Sequence, residues 1–157
     1  MAWYKDLSPC DYFGIQTASF LRAVGWLSQG HSYTTGKASS HFFDKLCRLL
    51  VNPWEPDSSA GIHFCELCLF SGGNGILRYK EYEVRGVSGR CLFIPANNFI
   101  FVAPESIAHY IDSHGYLPPE DFVESVLACP EMRSMDYKKA LLKSGGEKWH
   151  LLFSKQI

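Results

Sequence analysis

The sequence predicts an α+β fold: a single domain whose antiparallel β-meander, about residues 61–103, is packed by helices before and after it. Three observations carry that expectation. Between residues 61 and 103 the chain breaks into short β-rich runs separated by SGGNG, GVSG and PANN, which are turn-forming stretches. On either side of them, apolar residues recur at helical spacing. The 157 residues are 46% hydrophobic and 20% charged, a balance that folds around one core instead of remaining disordered.

The elements follow in order. Residues 2–13 (AWYKDLSPCDYF) are aromatic-rich and interrupted by Pro9, which predicts an ordered irregular arm with Trp3, Tyr4, Tyr12 and Phe13 packed on the domain. Residues 17–27 (TASFLRAVGWL) suit a helix or a strand, and the strand is preferred because QGHSYTTGK, residues 29–37, is loop chemistry. Ser39 or Ser40 caps a helix over 40–51, in which Phe42, Phe43, Leu46, Leu49 and Leu50 share a face and Pro53 is the stop. The β-runs are 61–70, 76–84, 90–94 and 99–103. A helix then starts at Pro104, with Glu105 near its positive end and Gly115 after its last turn. Residues 118–127 form the next helix, with Phe122, Val126 and Leu127 facing inward, and Ser134 caps a last one over 135–143. Residues 1–145 thus make one domain, and 146–157 a tail that either adds a strand or stays mobile.

Fifteen basic residues against sixteen acidic ones give a net charge of −1, which argues against nucleic acid or an anionic membrane as the main partner. No apolar run approaches the roughly 20 residues that span a bilayer. The N-terminal residues lack the basic start and apolar core of a secretion signal. A cytoplasmic protein with reduced thiols is therefore expected, four of its six cysteines being buried.

The chemistry concentrates in residues 61–70, GIHFCELCLF. Cys65 and Cys68 have the Cys-x-x-Cys spacing that lets two thiolates of one turn reach one metal ion. His63 could add a third ligand. In a strand it shares a face with Cys65, and Cys68 joins them only if the chain turns at Glu66–Leu67. His109 and His114 flank the end of the helix after the meander and could fold back onto it. Five residues apart, they lie about 140° apart round a helix, so both reach one ion only where the last turn unwinds. The expected metal is zinc, held by Cys65 and Cys68 with two of His63, His109 and His114.

Other chemistries fit less well. Glu66 could serve a zinc-bound water as general base. Zinc deaminases, however, place their glutamate in His-x-Glu on one helix and Pro-Cys-x-x-Cys on another, which this order does not match. A redox dithiol opens a helix after a strand, and HFCELCLFSGG offers none. Gly72, Gly73 and Gly75 read as a hairpin turn, since no Lys-Ser/Thr follows as in a phosphate loop. Trp3, Trp26 and Trp54 are candidates for a surface that meets a protein partner.

The stretches AWYKDLSPCDYF, AVGWLSQGHSYTTG, GIHFCELCLF, FVAPESIAHYIDSHGYLPPEDFVESVLACPEM and SMDYKKAL together resemble an uncharacterised family of small bacterial proteins, a domain of unknown function. The resemblance spans roughly residues 2–142. It implies a bacterial cytosolic protein and draws attention to His63, Cys65, Cys68, His109, His114 and Cys129, which stand in the shared motifs. The expected function is a zinc-stabilised, non-enzymatic domain that binds another macromolecule. The alternatives are a zinc-dependent hydrolase with Glu66 as general base and an immunity or antitoxin partner.

Overall fold

The structure is a computed structural model, and it describes residues 2–56, 64–68, 75–85 and 89–148. Its elements are β1 (Leu21–Ala23), α1 (Ser40–Leu50), β2 (Ile76–Tyr79), β3 (Tyr82–Arg85), β4 (Cys91–Pro95), β5 (Ile100–Pro104), α2 (Ile107–His114), α3 (Glu120–Ala128) and α4 (Met135–Leu141). A 3₁₀ turn, Ile15–Ser19, precedes β1, and a π turn, Leu142–Gly146, follows α4. The α+β class read from the sequence holds. Among the described residues no helix is long and apolar enough to cross a membrane.

The centre of the molecule is β5. It pairs with β4 in antiparallel register, Phe93 opposite Val102, and with β1 in parallel register, Ala23 opposite Val102. All five of its residues are buried, as expected of a strand covered on both faces. Strand alternation sends Phe101 to one face and Val102 to the other. On the first face Phe101 meets Phe122 of α3 at 5.6 Å between ring centroids, and Phe122 in turn meets Phe42 of α1. Opposite Val102, Phe93 packs against Phe13 of the N-terminal arm and Trp54, and its carbonyl accepts the Tyr137 hydroxyl of α4 at 2.6 Å. One small sheet thus separates an α1–α3 layer from an arm–α4 layer.

Local chemistry explains the helices. Ser39 accepts the Phe42 amide and caps α1, whose apolar face (Phe42, Phe43, Leu46, Leu49, Leu50) is wholly buried. Ser134 does the same for α4 through the Tyr137 amide. In α3, Phe122 and Val126 are buried, whereas Leu127, expected inside, is 38% exposed because it lies a further 100° round the helix from Val126.

The β-region departs from a continuous meander in three ways. The expected run over 76–84 folds back on itself as the β2–β3 hairpin, because Lys80 takes a positive φ of 52° and turns the chain. That hairpin forms a sheet of its own, apart from β1–β5–β4. Residues 64–68, expected in a strand, are a turn at Glu66 and Leu67. Helix α2 also starts later than expected: Pro104 still pairs with Cys91 at the end of β5, and the helix begins at Ile107. Of the tail, residues 147–148 are helical, and 149–157 lie outside the described residues.

Candidate metal centre

Helix α2 supplies one half of the site. Ile107, Ala108 and Tyr110 bury its inner face, which leaves His109 and His114 half-buried at its outer edge. The helix ends directly after His114, where Gly115 takes the left-handed conformation (φ 63°). The two imidazoles meet edge to face at 5.1 Å between centroids, so the 140° separation of an ideal helix is overcome at its terminus.

The turn at residues 64–68 supplies the other half. Residues three apart in a strand point to opposite faces, so two thiols at that spacing converge only if the chain turns between them. It does so at Glu66 and Leu67. The backbone amides of Leu67 and Cys68 bond to the Cys65 sulfur and favour its thiolate.

The halves meet. Cys65 Sγ lies 3.3 Å from His114 Nε2, and Cys68 Sγ lies 3.3 Å from His109 Nε2 and 3.5 Å from His114 Nε2. The four candidate ligand atoms all lie within 4.8 Å of one another. A tetrahedral zinc with ordinary Zn–S and Zn–N bonds sets each sulfur about 3.6 Å from each nitrogen. The spacing is therefore that of a ligand set around one ion, and this Cys₂His₂ group could hold a metal.

The electrostatics fit. Burial holds His109 below its ordinary pKa, as does the neighbouring His114, so its ring is kept in the neutral form that ligates. Burial pushes the Cys65 thiol up to about 11, and an ion that takes its thiolate displaces a proton.

Four of the five residues read as ligands are thus brought together, and the fifth, His63, lies outside the described residues. Cys129 is 3% exposed and stands in none of the cluster's contacts, while its carbonyl accepts the Lys45 ammonium. Cys10, Cys47 and Cys91 are buried free thiols. Trp26 is core rather than surface, its indole donating to the Val102 carbonyl, whereas Trp3 is 40% exposed and stacks on His31.

Sequence reasoning missed the role of Glu66. Its carboxylate accepts from the Ser28 hydroxyl at 2.7 Å and the Gln29 amide at 3.0 Å. These bonds, the Ser28 one foremost, hold it below the usual carboxylate range, the reverse of what a general base near neutral pH requires.

The family model described as a domain of unknown function (DUF7919) matches residues 2–127. The chain belongs to the DUF7919 family. The DUF7919 match encloses both halves of the cluster, and α4 lies beyond it. Comparison with curated proteins and with solved structures gives no match.

Proposed function

We propose that this is a zinc-stabilised, non-enzymatic domain that binds another protein, with Cys65, Cys68, His109 and His114 as the ligands. The observation that carries the reading is the convergence of two sulfurs and two Nε2 atoms within 4.8 Å of one another. Two thiolates and two imidazoles are the donor set of closed structural zinc sites, whereas catalytic zinc keeps a position for water. Four protein ligands fill a tetrahedron, and the carboxylate of Glu66 is engaged by Ser28 and Gln29. No observation therefore favours the hydrolase reading.

The ion would tie the 64–68 turn to the end of α2, two segments far apart along the chain. Contact with a macromolecule is the role such a scaffold leaves open. The net charge of −1 fits a protein better than a nucleic acid, and an immunity or antitoxin role would be one case of it. Exposed Phe64, beside Cys65, and Trp3 are the candidate contact residues.

Metal analysis of the purified chain tests the first part. One zinc per chain and a melting temperature lowered by chelator support it, and metal-free protein that melts identically with and without chelator counts against it. For the second part, a protein partner retained by the immobilised domain should be lost with Trp3→Ser or Phe64→Ser and kept with Met135→Ser, an exposed residue at the start of α4 that is outside the proposed contact.

A further inference from the structure

The loop spanning residues 28–36 bonds to both halves of the metal centre. At its start, Ser28 Oγ and Gln29 N donate to the Glu66 carboxylate, which stands between the two cysteines. At its end, the Tyr33 hydroxyl donates to the carbonyl of His114 at 3.2 Å, and the Gly36 amide to that of Gly115 at 3.0 Å. Thr34 returns the contact by accepting the Leu117 amide at 2.9 Å. Firm structure anchors both ends of the loop. Before it, the Trp26 indole is buried and bonded to β5, and after it Ser39 caps α1.

We infer that Glu66 and Tyr33 are positioning residues that set the separation of the two ligand pairs before a metal arrives, an inference that rests on the zinc-site reading above. A tetrahedral site tolerates little error in where its ligands stand. The cysteine turn is short, and His114 is the last residue of α2, at the end of a helix, the part that frays most readily. A loop bonded to both removes that freedom. Side chains that orient metal ligands in this way commonly change affinity by about 10–100-fold when removed. Glu66 acts through the Cys65–Cys68 turn and Tyr33 through the backbone of His114, so neither needs to touch the ion.

The test is a competition titration of zinc against a chromophoric chelator on the full metal-free chain. Glu66→Ala should weaken zinc by at least about 10-fold while the metal-free melting temperature stays close to that of the unmodified chain. Glu66→Gln, whose amide oxygen can still accept from Ser28 and Gln29, should recover most of the affinity. Tyr33→Phe should weaken zinc in the same direction, and Ser28→Ala serves if Glu66→Ala fails to fold. Wild-type zinc affinity in Glu66→Ala or Ser28→Ala overturns the inference, as does a loss that only follows reduced metal-free stability. Failure of the unmodified chain to bind zinc overturns the metal-centre reading itself, and with it this one.

Discussion

Cys65 Sγ stands 3.3 Å from Nε2 of His114, although 49 residues of chain separate them. Between the two lie four strands, β2 to β5, and nearly all of α2, so the contact closes a long loop. A metal bond at that point would close that loop, and the stability of the domain should then follow metal occupancy.

Cys65→Ser and His114→Ala should each lower the zinc content and the melting temperature of protein purified with metal. The loss should reach several degrees, since about 1 kcal/mol shifts a domain of this size by roughly 2–4 °C. Cys47→Ser is a control for mere cysteine loss: it should cost stability through burial of a hydroxyl and leave the zinc content unchanged. Metal analysis beside calorimetry on the three variants checks this.

Gly25 should not tolerate a side chain. Its φ of 76° is left-handed, and a Cβ there would stand 2.9 Å from both Cγ1 and Cδ1 of Ile107, the first residue of α2. Gly25→Ala should cost about 1–3 kcal/mol in urea unfolding, from overpacking and backbone strain together.

Tyr116 is fully buried, and its hydroxyl donates to Asp6 at 2.8 Å, while the Gly25 amide donates to the other oxygen of that carboxylate. Tyr116→Phe deprives a part-buried carboxylate of one partner and should cost about 1–3 kcal/mol, read from the urea midpoint at unchanged slope.

Glu105 predicts a pH dependence. Burial raises its carboxyl from 4.5 to about 7, against the opposing pull of the Arg90 guanidinium 3.3 Å away. A carboxyl with a raised folded-state pKa takes up a proton on folding, so its contribution to stability falls as pH rises between about 4.5 and about 7. Glu105→Gln lacks that penalty. The stability of the variant relative to the unmodified chain should therefore improve from pH 5 to pH 8, by on the order of 2 kcal/mol, in urea titrations of the metal-free proteins.

How much was legible in the sequence depended on the range of the cause. Helix α1 was readable because its cap and apolar face are local: Ser39 stands three residues from the Phe42 amide it accepts, and Phe42 to Leu50 repeat at helical spacing. The turn at Lys80 was hidden, since a lysine with positive φ carries no glycine or asparagine to announce it. The apolar texture of residues 61–70 suggested a strand, and only the geometry of two thiols needing one face hinted at the turn. At the site, spacing marks Cys65 and Cys68, and a place on the helix after the meander makes His109 and His114 candidates, but which histidines close the set depends on contacts across more than 40 residues. The bonds from Ser28 and Gln29 to Glu66 span 38 and 37 residues, and no local pattern records them. Nor does any local pattern record the parallel pairing of β1 with β5.

X-ray absorption at the metal edge of the purified chain is the most direct test of the central claim. A zinc edge with a shell of two sulfurs at about 2.3 Å and two nitrogens at about 2.0 Å is the expected result. A sample with no metal edge, or a shell of light atoms without sulfur, would contradict it.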